Sequence, residues 1–100
     1  MVSAAIDIPQ KQIEGLCRRH HITKMALFGS VLRDDFGPRS DVDILVEFHP
    51  EHIPGLSFFD VQDELSEMFQ RRVDLVTFKG LSKYIRKIVL EEAQSVYVEV

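Results

Sequence analysis

The sequence predicts a fold of the α/β or α+β class, with one sheet and helices packed on it. Short runs rich in β-branched and apolar residues favour strands, and segments between them repeat apolar residues at helical spacing. Strands that alternate with helices along a chain are typical of a helix-covered sheet. With 100 residues, the chain is expected to form a single domain over residues 1–100.

Each element has a local signal, such as Pro9 at the start of a helix, a turn-rich segment at 36–40, or Ser82 before the last helix. In chain order we expect a helix after Pro9, a strand near 24–28, a short helix at 30–35, a strand near 41–48, a loop at 49–56, a helix capped by Ser57, a strand near 73–78, a last helix after Ser82 and a strand at 96–98. The last helix is expected to bury Leu81, Tyr84, Ile85, Ile88 and Val89.

Composition excludes several classes of protein. The net charge of −4 argues against broad nucleic-acid binding, which normally needs a basic surface. The single cysteine, Cys17, cannot form an internal disulfide, and we expect it to be a buried thiol in a reducing cytoplasm. No apolar run reaches the about 20 residues of a membrane span, and no signal-peptide pattern begins the chain.

A glycine–serine turn and two aspartates carry the chemistry. Gly29-Ser30 ends an apolar run, and ten residues later Asp41-Val42-Asp43 opens another. Residues two apart in a strand project from the same face, so Asp41 and Asp43 are expected to point together and to hold a hard divalent cation such as Mg²⁺. Gly29 allows backbone to approach a phosphate, and Ser30 opens a helix whose N–H groups favour an anion.

Read separately, these features have ordinary explanations. A glycine–serine pair after a strand is often only a turn with a helix cap, and a single Asp-x-Asp on a strand is usually solvated surface. Their conjunction in this order and spacing indicates a metal-dependent site for phosphoryl or nucleotidyl transfer.

Gly29-Ser30, ten residues and then Asp41-x-Asp43 resemble the signature of the DNA-polymerase-β-like nucleotidyltransferase superfamily. At this length the chain resembles the minimal nucleotidyltransferases, the MntA-like antitoxins. The resemblance implies a mixed sheet flanked by helices, ATP with Mg²⁺, and transfer of AMP to a tyrosine of a paired HEPN toxin in a hetero-oligomer. It also implies that Gly29 and Ser30 hold phosphates and that Asp41 and Asp43 hold metal.

The family's third carboxylate lies on a later strand and helps to deprotonate the acceptor hydroxyl. The best match is Asp74, which we expect to join Asp41 and Asp43 as a catalytic and metal-binding residue, either at the mouth of a site or paired with Arg71 or Arg72. Its rivals in the sequence are Glu47, Asp60 and Asp63. Arg33 is a candidate for a phosphate contact, with a salt bridge to Asp34, Asp35 or another acid as the alternative.

Three functions follow. The first is a Mg²⁺-dependent nucleotidyltransferase that transfers AMP from ATP to a partner protein. The second is an antitoxin that neutralises its partner by binding, with weak catalysis. The third is nucleotidyl transfer to a small hydroxyl compound, for which the family normally adds a helical domain.

Overall fold

The computed structural model describes residues 8–32, 37 and 40–99, except for the side chain of Ser30. The α-helices are α1 (Gln10–Arg19), α2 (Ser57–Phe69) and α3 (Lys83–Glu92), and the strands are β1 (Ile22–Phe28), β2 (Val42–Phe48), β3 (Val73–Thr77) and β4 (Gln94–Val98). Short 3₁₀ helices follow β1 at Gly29–Leu32 and β3 at Phe78–Gly80.

The four strands form one mixed sheet in the order β3-β2-β1-β4. β1 runs antiparallel to β2 and β4, whereas β2 and β3 are parallel. Because parallel neighbours need a crossover connection, α2 lies between β2 and β3 in the chain. The expected fold class is confirmed, including the mixed sheet flanked by helices.

The main core lies between one face of the sheet and the helices α1 and α2. Strand residues alternate faces, so the even-numbered residues of β2 point into this core. Its fully buried side chains include Ile13, Leu16, Cys17, Met25, Leu27, Val42, Ile44, Val46, Val61 and Leu65. The expected burial of Cys17 is therefore confirmed.

The opposite face carries α3 over a smaller apolar cluster. Leu45, Leu81 and Val89 form its buried centre. The expected burial of Leu81 and Val89 is confirmed, but that of Tyr84, Ile85 and Ile88 is wrong, because these side chains are 79%, 44% and 53% exposed. Helical spacing predicts which residues share an apolar stripe, but it does not say whether the sheet covers that stripe.

Arg86 explains part of this arrangement. Its guanidinium donates hydrogen bonds from Nε to the Leu81 carbonyl at 3.0 Å and from Nη2 to the Lys79 carbonyl at 3.3 Å. It also lies 5.3 Å from the centroid of the Phe78 ring. Arg86 thus holds the first turn of α3 to the segment that follows β3.

The N-terminal ends of α3 and α2 differ in their capping. Ser82 caps α3 as expected, since its hydroxyl accepts a hydrogen bond from the Tyr84 N–H at 3.3 Å. The expected cap by Ser57 is wrong: Leu56 occupies the cap position of α2 and makes no side-chain cap bond. There the N–H groups of Phe58 and Phe59 bond the carbonyls of Gly55 and Leu56 instead, so a tight turn satisfies these donors.

An ion-pair cluster joins α1 to α2. The Glu64 carboxylate accepts hydrogen bonds from Arg19 at 2.8 Å and from the ring of His20 at 2.7 Å. Burial alone would raise the pKa of Glu64, but the bonds from Arg19 and His20 outweigh it and lower that pKa below its usual value. No helix within the described ranges is long and apolar enough to span a membrane.

Candidate functional site

The turn after β1 brings its backbone against an acidic side chain. Gly29 has a φ of 77°, in the left-handed region that side chains other than glycine's rarely adopt. A Cβ placed on Gly29 would clash with the carboxylate of Asp43 and would lie 3.1 Å from its Cγ. Glycine is required here both by the backbone conformation and by the space that the Asp43 carboxylate occupies.

Two aspartates stand side by side on neighbouring strands. Asp43 on β2 is in register with Asp74 on β3 and, on its other side, with Phe28 at the end of β1. Directly paired residues of adjacent strands point to the same face of the sheet, and the strands lie about 4.8 Å apart. Asp43 and Asp74 therefore share the face that carries α3. They lie at the end of the sheet where β1 ends and where β2 and β3 begin.

Asp41 lies immediately before β2, two residues from Asp43, and its side chain is exposed. Its Oδ2 is 4.0 Å from Nε of Arg72. The N–H of the next residue, Val42, donates to the Arg72 carbonyl at 3.0 Å, which fixes the start of β2 against the start of β3. The structure thus places Asp41, Asp43, Asp74 and Gly29 at one end of the sheet.

The donor set fits a hard divalent cation in chemistry, since carboxylate oxygens are the ligands that Mg²⁺ prefers. Gly29 adds a fit of shape, because the missing Cβ leaves the Asp43 carboxylate its place beside the turn. In the described part of the chain, no three side chains of histidine, cysteine, aspartate or glutamate are already grouped closely enough to hold a metal. The carboxylates thus share one end of the sheet without forming a preassembled metal cage.

Arg71 was not singled out as a site residue from the sequence. Its guanidinium donates to the Gly37 carbonyl at 2.8 Å and to the Ser40 carbonyl at 3.4 Å. Ser40 in turn accepts a bond from the Gly37 N–H at 3.0 Å. Arg71 therefore ties the segment that leads into Asp41 to the start of β3, whereas Arg72 pairs with Asp41 and not with Asp74.

Two polar residues of α2 position β3 and were also missed. Ser66 Oγ accepts from the Val73 N–H at 3.1 Å and donates to the Gln62 carbonyl at 2.9 Å. Gln62 Oε1 accepts from the Leu75 N–H at 3.2 Å. These bonds occupy N–H groups on both sides of Asp74, at the edge of the sheet. A serine and a glutamine four residues apart on one helix face are the signal that the sequence offers for them.

The rivals of Asp74 lie elsewhere. Glu47 is exposed near the far end of β2, roughly 13 Å along the strand from Asp43. Asp60 and Asp63 are exposed on α2, and that helix packs on the opposite face of the sheet. Arg33, Asp34 and Asp35 lie outside the described residues, as does the side chain of Ser30.

The strand that carries the aspartates leads directly into the loop at 49–56, which predicts a loop beside the site. This prediction is wrong, because the loop follows the opposite end of β2 from the aspartates. There it borders an apolar cleft of about 780 Å³. The loop contributes Pro50, Ile53 and Pro54 to its lining. Four phenylalanines complete the apolar wall: Phe48, Phe58, Phe59 and Phe78. A loop that follows a seven-residue strand begins roughly 20 Å from the start of that strand, so chain order alone separates it from Asp41 and Asp43.

Comparison with known proteins agrees with this geometry. The family profile described as nucleotidyltransferase domain matches residues 9–96, which include the turn and all three aspartates. The chain belongs to the nucleotidyltransferase domain family. The resemblance inferred from Gly29-Ser30 and Asp41-x-Asp43 is therefore confirmed.

Two curated relatives match this nucleotidyltransferase over most of its length. A Methanocaldococcus jannaschii protein, named as a candidate protein adenylyltransferase, is 39% identical over 91% of this chain and 93% of its own. The protein adenylyltransferase MntA of Thermococcus cleftensis is 40% identical over 83% of this chain and 81% of its own.

Solved structures share the fold. One described as a candidate minimal nucleotidyltransferase superposes with a TM-score of 0.72 at 33% identity, covering 85% of this chain and 86% of that one. A toxin–antitoxin complex with AMP-PNP gives 0.72 at 20% identity over 91% and 74%. A tri-AMPylated Shewanella oneidensis HEPN toxin in complex with its MNT antitoxin gives 0.64 at 20% identity over 89% and 69%. At 20% identity, the last two show the fold alone.

Proposed function

We propose that this nucleotidyltransferase uses Mg²⁺ and ATP to transfer AMP to a tyrosine hydroxyl of a HEPN-domain toxin, and that it thereby acts as an antitoxin in the cytoplasm. The observation that carries the proposal is the in-register pair Asp43 and Asp74 beside the Gly29 turn. The names of the relatives and the toxin–antitoxin complexes of the same fold support the choice of nucleotide and partner.

The reaction forms one bond to the α-phosphorus of ATP and breaks another. The acceptor oxygen bonds the α-phosphorus of ATP, the bond from that phosphorus to the bridging oxygen of the β-phosphate breaks, and pyrophosphate leaves. Asp74 accepts the proton of the acceptor hydroxyl as the new bond forms. Its exposure suits this role, because a protein acceptor must reach it from solvent.

Each of the other residues has a binding role in the proposal. Asp41 and Asp43 hold Mg²⁺, which when bound neutralises charge on the phosphates and activates the attacking oxygen. The backbone at Gly29 and Ser30 lies beside the phosphates, where the absence of a Cβ allows close approach. Arg33 supplies a cation to the same phosphates.

The decisive experiment incubates the purified chain with labelled ATP, Mg²⁺ and the HEPN protein encoded nearest to it. We expect label on that protein, loss of label when its acceptor tyrosine is replaced by phenylalanine, and release of pyrophosphate in equal amount. Intact binding of the two proteins with no label transferred would refute transfer as the function.

Neutralisation by binding alone is the second candidate, since solved structures of this fold include complexes of a toxin with its antitoxin. The double variant D41N/D43N separates the two. A variant that still silences the toxin fully would assign neutralisation to complex formation.

A further inference from the structure

The exposed side of α3 carries an apolar surface that the proposed reaction does not use. We call Tyr84, Ile85 and Ile88 the α3 stripe. All three are exposed, although the sequence places them at helical spacing like a core face. Tyr84 and Ile88 are four residues apart, and Ile85 is three residues before Ile88, so the three lie together on the helix surface.

The charges beside the α3 stripe are arranged by sign. Lys83, Lys87 and Glu91 follow each other at intervals of four residues, so they form one row along the flank of the stripe. The row is basic in the N-terminal half of the helix and acidic at its C-terminal end. This order is unfavourable in an isolated helix, because the N-terminal end of the dipole is already positive.

We propose that the α3 stripe is the contact between two copies of this chain, with the two α3 helices packed antiparallel about a two-fold axis that passes beside Ile88. A two-fold interface brings the same patch of both copies together, so it needs a surface that is complementary to itself. This inference is independent of the proposed function, since it uses neither the aspartates nor ATP.

The charge pattern selects this arrangement. At 1.5 Å of rise per residue, a two-fold axis at Ile88 places Glu91 of one copy level with the gap between Lys83 and Lys87 of the other, about 3 Å along the axis from each. The two-fold axis keeps each flank of the stripe with the same flank of the other copy, so both Lys87–Glu91 contacts form together. Parallel packing would instead set this row against the opposite flank of the other copy, so the Lys87–Glu91 contacts would not form.

The same arrangement offsets the unfavourable interaction of the lysines with the dipole of their own helix. The lysines of one copy then lie beside the negative C-terminal half of the other copy's helix, and antiparallel dipoles attract. Arg86 takes no part, because its guanidinium is bound to the Leu81 and Lys79 carbonyls. The apolar stripe supplies the burial, and the row of charges sets the direction.

We expect a weak dimer. A stable interface buries about 800 Å² per partner, which one pair of ten-residue helices does not reach. Sedimentation equilibrium over a series extending to about 500 µM protein should show a monomer–dimer equilibrium that weakens with added salt. A chain that stays monomeric through that series overturns the proposal.

A matched pair of variants tests the surface. I88D should raise the dimer Kd at least about tenfold, because it places a charge at the centre of the contact. L56D is the control: Leu56 is 84% exposed and precedes α2, so the same kind of change there should leave Kd unchanged. Equal effects of both variants on Kd would show non-specific hydrophobic association and refute the α3 stripe as the dimer contact.

A charge exchange tests the direction. K87E and E91K should each weaken the dimer about fivefold, whereas the double variant K87E/E91K should return Kd to within about twofold of the original. Circular dichroism and urea unfolding of each variant separate this from helix stability, since the two residues are also neighbours within one helix. If the double variant dimerised as weakly as the single variants, the pairing of two copies would be overturned. The same holds if the chain is monomeric and I88D abolishes binding of a partner protein instead.

Discussion

The carboxylate of Asp43 occupies the space that a Cβ on Gly29 would need. Gly29 directly follows β1, and Asp43 lies near the start of β2, the antiparallel neighbour of β1. The short turn and the acidic strand thus depend on each other.

Replacing Gly29 by alanine tests that contact. We expect G29A to lower the free energy of unfolding by about 1–3 kcal/mol, because it combines a left-handed backbone with a displaced Asp43. Transfer should fall about 100-fold, as expected when reacting groups move by about an ångström. Urea denaturation and the labelled-ATP assay measure the two effects.

Gly15 provides the control for G29A. It lies inside α1, and a Cβ there would meet nothing within 4 Å. G15A should therefore raise the free energy of unfolding by about 0.5–1 kcal/mol and leave transfer unchanged. A G29A protein as active as G15A would contradict the proposed role of the turn.

Asp43 and Asp41 are predicted to bind Mg²⁺. D43N and D41N remove one negative charge each with little change of shape, so transfer should fall at least about 100-fold and require more Mg²⁺. Glu47 on the same strand is the control, since E47Q changes charge equally at the far end of β2. Titration of activity with Mg²⁺ measures the effect, and an unchanged dependence in D43N would contradict it.

Asp74 is predicted to take the proton from the hydroxyl group that receives AMP. D74N should lower the transfer rate about 10²- to 10⁴-fold while the Kd for ATP stays near that of the original protein. D63N is the matched control, because Asp63 is exposed on α2, which packs on the opposite face of the sheet. Nucleotide binding by calorimetry and single-turnover transfer separate the two steps. If D74N lost ATP binding as fully as transfer, Asp74 would be a binding residue instead.

Glu64 gives a pH dependence of stability. Its pKa is lowered from 4.5 in the folded chain, so its contribution is present above that value and is lost as pH falls through the lower folded pKa. E64Q should cost less than about 1 kcal/mol at neutral pH, because the Arg19 partner is largely exposed. The difference from the original protein should vanish at acid pH, whereas the exposed control E67Q should show no such change.

Cys17 should be inert in the folded chain. Burial first, and the nearby Glu14 second, raise the pKa of its thiol to about 12, so little thiolate exists at neutral pH. Iodoacetamide should modify it only after unfolding by urea, as mass spectrometry can show. Rapid alkylation under native conditions would mean that α1 opens readily.

The sequence was informative where local pattern and chemistry coincide. Asp43 lies in a strand and Asp41 immediately before it, as their two-residue spacing in an apolar run predicts. Asp74 could be chosen over Asp60 and Asp63 because it lies in a strand. Their register across β2 and β3 could not be foreseen, since it depends on the crossover through α2. The roles of the site residues stay predictions, as does the single domain over residues 1–100.

The errors have a common physical origin. Tyr84 and Ile88 have the spacing of core residues, yet the sheet beneath α3 is already covered by Leu81 and Val89. The hydrogen bonds from Arg71 to the Gly37 and Ser40 carbonyls also join distant segments of the chain. Local sequence predicts which surfaces are apolar or charged, but long-range packing decides what they meet.

The pairing of β1 with β4 has a consequence for synthesis. β1 ends at Phe28 and β4 begins only at Gln94, so on the ribosome the first strand emerges well before the strand that covers its outer edge. An uncovered strand edge can pair with other chains. The newly made protein therefore passes through a period in which aggregation competes with folding, and in which chaperones that shield open strands would raise its yield.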